Sequence, residues 1–371
     1  MYCERCGGEL NEGDRFCPKC GTMTEKGVEE KARYPVVMRG VLDEWGSPQR
    51  YWVEDRKEFS GPVTTDEMFF AAHSFNGPVK VSGWDKNEYS IELMIEAGGY
   101  TEEEARANLE ALKVEFKDEV QEDKQRLALG FDYPHLHRMP YRIETEVRLP
   151  KSILVDLDIG SKNGGISIKD LKGGTLVSET KNGGITLSNL PYRTVQCATS
   201  NGKLDLRKVD CESAEIRTSN GRITLDEVSA ETLEGKTTNG EIEGTLKSGG
   251  SRLKTSNGHI GLCLPCEESG KYYLSTSNGS IRLEVPDSPR VGYDVDLSTS
   301  MSTVRVDLDD FEYSRHRRTR KTARTAGFDD RETQVVIDAH TSMGGIRVKP
   351  AKTPSLAKSR TEDISKSIPP M

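Results

Sequence analysis

An Asn-Gly pair, with Thr two residues before the Asn and alternating apolar residues after the Gly, recurs along this chain at a nearly fixed interval. The best copies read TSNGKLDL from 199, TSNGRITL from 218, TSNGHIGL from 255 and TSNGSIRL from 276. The asparagines Asn163, Asn182, Asn201, Asn220, Asn239, Asn257 and Asn278 are spaced by 19, 19, 19, 19, 18 and 21 residues. A period of that size is the signature of a repeat architecture, in which each unit buries its apolar face only against its neighbours.

Counting from each Asn as zero, apolar residues recur at +3 (Ile166, Ile185, Leu204, Ile223), at +5 (Ile168, Leu187, Leu206, Leu225) and at +7 or +8 (Leu171, Leu190, Val209, Val228). Before the Asn they favour −6 and −4, as in Val195, Cys197, Ile216 and Leu253. Alternation on both sides of the Asn-Gly predicts two short strands with one buried face each. The corner between them is read as a turn that uses the tolerance of Asn and Gly for positive φ. A meander of hairpins would satisfy the same local pattern. Thr at −2 in eight copies (Thr180, Thr199, Thr218, Thr237, Thr255, Thr276, Thr299 and Thr341) favours a β-solenoid instead. Stacked coils place like on like, so Asn and Thr side chains can form ladders along the axis. The motif is therefore read as a corner, not as an active site. Asn76-Gly77 followed by Val79 and Val81 marks an outlying coil, and Met301 and Met343 replace Asn in degraded late copies.

The expected organisation is a zinc-ribbon at 1–22, a linker at 23–60, a β-solenoid domain of about 19-residue two-strand coils at 61–350 and a disordered tail at 351–371. A strand–helix–strand block at 86–150 interrupts the repeats and is expected to close the N-terminal end. Its helix is signalled by Thr101 as N-cap, Glu104 three residues on, and an apolar stripe of Ala105, Leu109 and Leu112. Strands are expected around Tyr89 to Ala97, Val114 to Val120, Arg126 to Phe131 and Tyr141 to Leu149.

In the ribbon, Cys3-x-x-Cys6 and Cys17-x-x-Cys20 are the pair of knuckles that tetrahedral Zn²⁺ requires, each offering two thiolates from a tight turn. Four sulfur ligands leave no open position, so the zinc would be structural. So small a segment would draw most of its folding free energy from the metal, on the order of 10 kcal/mol. Of the other cysteines, Cys197 falls on an inward column, Cys211 in a turn between coils, and Cys263-x-x-Cys266 is a lone pair lacking the βαβ context of a redox site. His135-x-His137 has no evident carboxylate partners, which speaks against a second metal site.

The insertion at 309–333 contains RHRRTRKTAR (315–324), with six basic residues and no acid. Nucleic-acid binding is one reading of it. Acidic flanks and the lack of interleaved aromatics favour a solvated loop. Net charge is −8, and no run of about 18 apolar residues occurs. Neither a secretory signal nor a membrane span is expected, which predicts a cytoplasmic protein.

The repeats, with the preceding block and the phrase NGPVKVSGWD at 76–85, resemble a prokaryotic β-strand-repeat family of unknown function, often labelled putative adhesin. The N-terminal segment resembles the short zinc-ribbon of many prokaryotic proteins. The first resemblance implies a β-solenoid and brings no catalytic residues. The outward columns, mixed in character, offer no clustered carboxylates for glycoside chemistry. The reading is a non-catalytic scaffold or protein-interaction module with a structural zinc site and a protein partner. Alternatives are a nucleic-acid-associated regulator using the ribbon and the basic loop, or a bactofilin-like self-assembling protein.

Overall fold

A computed structural model describes residues 51–132 and 140–351. The zinc-ribbon cysteines, most of the expected linker, His135 and His137, and the tail beyond Ala351 lie outside the described residues.

The repeats form a β-solenoid. Each coil runs from an Asn-Gly corner through a short strand and a bend, then along a second strand to the next corner. In β11 (Ile185–Thr199), β12 (Leu204–Thr218), β13 (Ile223–Lys236) and β14 (Ile242–Lys254) the two strands of a coil form one bent segment. Successive coils pair in parallel at the repeat period: Ile185 lies beside Leu204, then Ile223, then Ile242. The inward columns Ile185, Leu187, Leu190, Val195 and Cys197, with their counterparts in each coil, make a continuous core.

The corner is one hydrogen-bonded device repeated along the axis. Each corner Asn donates through Nδ2 to Oδ1 of the preceding one, in an unbroken line from Asn278 back to Asn76 at 2.6–2.8 Å. The Thr ladder differs from the sequence expectation. Each Thr hydroxyl donates to a corner glycine carbonyl of the neighbouring coil, as Thr199 does to Gly183 and Thr218 to Gly202 (2.9 and 3.0 Å). The reason for glycine also differs. Of the Asn-Gly corners, Gly77 alone has positive φ, and no corner Asn does. A Cβ on Gly202 would sit 1.8 Å from the Gly183 carbonyl oxygen, so glycine is required by the close approach of the next coil.

Left-handed backbone appears at the second bend instead, at Asp170, Asn189, Lys208 and Glu227 (φ 58°, 55°, 50° and 54°). These occupy +7 in four successive coils. For residues with a Cβ this conformation costs about 1–2 kcal/mol each. The stack holds them there, and Asn189 Nδ2 donates to Asp170 Oδ1 at 2.9 Å.

At both ends, spatial order departs from chain order. The coil of β2 (Glu67–Asn76) and β3 (Val79–Trp84) lies against β8 (Leu154–Asn163) and β9 (Ile166–Lys169). The intervening block packs outside it. There β6 (Lys124–Asp132) pairs with β2, and β7 (Tyr141–Pro150) with β3. Strands β1 (Tyr51–Pro62) and β4 (Glu88–Gly99) continue one sheet antiparallel, and β5 (Lys113–Gln121) edges the other. Residues 51–60, expected in the linker, thus belong to a paired strand. Helix α1 (Glu102–Ala111) starts as expected: Thr101 Oγ1 accepts from Glu104 N at 3.1 Å. The Glu104 carboxylate reaches back one residue further than anticipated, to Tyr100 N. Ala105 and Leu112 are buried.

At the other end, the coil of β22 (Thr333–Thr341) and β23 (Ile346–Pro350) is inserted between two earlier ones. It separates the coil of β16 (Gly270–Thr276) and β17 (Ile281–Val285) from that of β18 (Val291–Thr299) and β19 (Val304–Val306). The basic insertion is an ordered hairpin, not a loop. Strands β20 (Phe311–His316) and β21 (Arg320–Thr325) pair with each other, and β21 pairs antiparallel with β18.

Two substitutions separate the roles of glycine. Gly202→Ala is expected to cost about 3 kcal/mol, the upper range for overpacking. Lys208→Gly, at a left-handed position, should leave stability unchanged or raise it by up to about 1 kcal/mol. Calorimetric unfolding of both variants checks this, and the reverse order would contradict the account.

Candidate functional site

The arrangement closest to catalysis lies on the outer face of the last coils. Ser298 and His340 are cross-strand neighbours, with Ser298 Oγ 2.6 Å from His340 Nδ1. His340 Nε2 is 2.5 Å from Asp338 Oδ1, two residues back on the same strand. The residue types are those of a nucleophile, base and acid, but the geometry does not support that use. The Asp338 oxygen makes no hydrogen bond despite its proximity, so the carboxylate does not orient the ring. Strand β18 is paired on both sides, by β22 and β21, and β22 by β16 and β18, which commits their backbone donors to ladders. No oxyanion site is left between them. Neighbouring Asp296 is equally committed. Burial would raise its pKa, but Arg320 at 2.6 Å and the Thr322 hydroxyl hold it below the ordinary carboxylate value.

Among the described residues, no group of three or more His, Cys, Asp or Glu side chains is arranged to hold a metal ion. The cysteines there are all free thiols. Burial pushes Cys197, Cys211 and Cys266 up to about 12, and raises Cys263 as well. Thiols so poorly ionised are weak nucleophiles, which removes support for a Cys263–Cys266 redox pair. Cys211 corrects its expected place in a turn: it is buried in the core. It belongs to an inward column at +10, with Tyr192 and Ala230, that the sequence pattern did not reveal.

That column underlies a surface groove of about 460 Å³. Cys211, Ala230 and Ser248 contribute to it from three stacked coils, and its rim carries Arg193, Glu212, Glu231 and Lys247. The small residues leave a trough. Tyr192 reaches past it to the Val155 carbonyl, and Tyr272 to the Ser248 carbonyl (2.8 and 2.9 Å). A second depression borders Asp156, which accepts from Lys124 Nζ at 2.6 Å and from the Gly174 and Thr175 amides. Burial would raise its pKa, but Lys124 and the amides bring it below the ordinary value.

Within the basic hairpin, Arg320 pairs with Asp296, Arg324 with Asp294 and Asp329, and Lys321 lies over the Tyr313 ring. Arg315, Arg317 and Arg318 are exposed and carry no ion pair among the described residues. Tyr313 meets His316 edge-on at 4.6 Å, so the hairpin carries an aromatic contact beside its arginines. No helix among the described residues is long and apolar enough to cross a membrane.

Comparison with known proteins gives a match of residues 121–349 to the family described as Toastrack DUF4097, and of residues 2–24 to a zinc-ribbon domain. Among solved structures, one similar chain is a putative cell adhesion protein from Clostridium sporogenes. It is 12% identical, covers 80% of this chain and 100% of its own, and has a TM-score of 0.23. A putative adhesin from Bacteroides fragilis is 11% identical, over 79% and 97%, with a TM-score of 0.36. A putative lipid binding protein from Parabacteroides distasonis is 11% identical, over 80% and 96%, with a TM-score of 0.42. Likenesses this distant carry no functional argument. No curated protein matches the chain.

Two outcomes follow from the site chemistry. Timed alkylation of the native protein at pH 8 should modify Cys263 before Cys197, Cys211 and Cys266, by about tenfold or more in rate; early labelling of Cys266 would contradict this. The lowered pKa of Asp156 gives stability that is fully present above the unfolded value of about 3.9 and is lost as pH falls through the folded value. Asp156→Asn should therefore flatten the acid limb of the stability curve below about pH 4. An unaltered acid limb would remove the proposed linkage.

Proposed function

The chain belongs to the Toastrack DUF4097 family, and from that premise we propose that it is a non-catalytic scaffold: a stiff β-solenoid that presents fixed rows of side chains to a protein partner, joined to a small metal-bound module. The observation that carries this reading is the unbroken Asn and Thr–Gly corner, which sets every outward column at strand spacing over the repeat array. Rigid surfaces bind without the ordering cost a flexible one would incur. The groove over Cys211, Ala230 and Ser248 is a recess that such a partner would meet along those columns.

Cys3, Cys6, Cys17 and Cys20 are the proposed ligands of a structural Zn²⁺, supported by the zinc-ribbon match across them. Four thiolates suit tetrahedral zinc and need a reducing compartment to stay reduced, which supports a cytoplasmic location. The nucleic-acid alternative has one observation in its favour, the unpaired Arg315, Arg317 and Arg318. Self-assembly is less well supported. The outermost strands carry exposed charge (Glu115, Asp118 and Glu119 on β5, Arg315 on β20), which ordinarily guards a sheet edge against pairing.

The test is capture of the tagged chain from its native lysate, with and without nuclease, beside a Cys3→Ser/Cys6→Ser variant. Purified chain should contain about one zinc per molecule, as four ligands require, and the variant should lose it. A protein partner that survives nuclease and is lost with the variant is the expected result. Recovery of nucleic acid alone, or a zinc-free chain with reduced cysteines, would contradict the reading.

A further inference from the structure

The Asn ladder stops where the exposed surface changes character. Beyond Asn278 the next corner in space is Met343, whose amide donates to the Ser277 carbonyl, and the one after is Met301, bonded to the Ser342 carbonyl. Both side chains are largely exposed, 57% and 71%. Two adjacent corners thus present bare methionine where eight others present a hydrogen-bonded amide.

Four residues past each of the last three corners stands an arginine. Arg282, Arg347 and Arg305 are register partners across β17, β23 and β19, so their backbones follow one another at about 4.8 Å. All three are exposed. Arg347 is held by Asp307 at 2.7 Å, while Arg282 and Arg305 have no ion pair among the described residues. Between this column and the corners lies a shallow cleft of about 230 Å³, bordered by Ser280, Thr303 and Gly345 as well as the arginines.

The tip of the basic hairpin is laid against the same coil. The Arg318 carbonyl accepts from Val304 N and the Thr319 carbonyl from Thr299 N, both at 2.9 Å. This brings the chain carrying Arg317 and Arg318 beside the outermost corner. The acids of the region do not neutralise the patch. Asp307 and Glu284 are taken up by Arg347 and Lys349, and Asp309 and Asp310 follow the far end of β19. An exposed apolar pair is thus flanked by unpaired guanidinium groups at one end of the solenoid.

We propose that this end of the solenoid docks on an anionic lipid surface, with Met301 and Met343 entering the headgroup–acyl boundary and Arg282, Arg305, Arg317 and Arg318 meeting lipid phosphates. Apolar burial and electrostatic attraction act together in such peripheral binding. The methionines favour lipid over a nucleic-acid backbone, because phosphates and sugars offer them no apolar surface to bury against, whereas acyl chains do. The nearby Tyr313 face is already covered by Lys321, so it is not a free platform for a base.

The test is co-sedimentation of the full chain with vesicles of phosphatidylglycerol and phosphatidylcholine, and with phosphatidylcholine alone. Binding is expected to the anionic vesicles only and to weaken with added salt. Arg282→Gln/Arg305→Gln/Arg318→Gln should weaken it by about a hundredfold, and Met301→Ser/Met343→Ser by about tenfold. These side chains are exposed, so circular dichroism should show folding unchanged. Failure to bind anionic vesicles, or equal binding to both vesicle types, would overturn the proposal. So would tight binding of a single-stranded oligonucleotide combined with indifference to the methionine substitutions, which would identify a nucleic-acid surface instead.

Discussion

The structure depends on one contact: the approach of each Asn-Gly corner to the corner beneath it. A glycine without Cβ lets the neighbouring carbonyl come close, and the Thr hydroxyl satisfies a carbonyl of the same row. The Asn amide then links the corner to the next through its own side chain. None of these bonds is individually large, since a net hydrogen bond contributes about 1 kcal/mol. Their effect comes from repetition in register. Fixing the corner fixes which residues point inward, and a slip of one residue would turn every apolar column outward. The strained +7 residues are tolerated for the same reason: both strands that leave them are already set by the stack.

Both ends of the array are built by exchanging chain order for spatial order. At the start, the coil before the interrupting block lies inside it; at the finish, the last coil in sequence is slipped beneath an earlier one. Antiparallel strands complete each end, β4 with β1 on one side and the β20–β21 hairpin on the other. The middle coils are alike, while the terminal ones are free to carry surfaces of their own. The methionine corners, the arginine column and the hairpin tip all occur at one such end.

The corner was legible in the sequence because Thr, Asn and Gly recur in identity as well as in character. The columns at +3 and +5 were legible because Ile, Leu or Val holds them in nearly every coil, with Gly244 the exception at +5. The +10 column escaped notice because Tyr192, Cys211, Ala230 and Ser248 share burial and no chemistry. The second bend was hidden because only Asp170 and Asn189 are of the types that favour left-handed backbone, whereas Lys208 and Glu227 at the same position are not. The hairpin read as a loop because its charges masked the alternation that buries Ala323 and Thr325. The arginine column was only partly legible. Arg282, Arg305 and Arg347 share the +4 position of the last three copies, but Arg347 lies between the other two only through the exchanged coil order, which no linear motif records. The zinc-ribbon, by contrast, was legible from cysteine spacing alone, and the family match over residues 2–24 agrees with it.

The central claim is that the corners carry the stack, and native-state hydrogen exchange resolved by residue tests it most directly. The amides of Asn201, Asn220 and Asn239 bond to carbonyls of the preceding coil, at Lys181, Ser200 and Ser219. If the corners hold the coils together, these amides exchange only through the opening that also exposes the strand amides of Leu204, Ile223 and Ile242, and with the same free energy. Corner amides that exchange quickly while those strand amides stay protected would show that the core alone holds the stack, and that the corners merely follow.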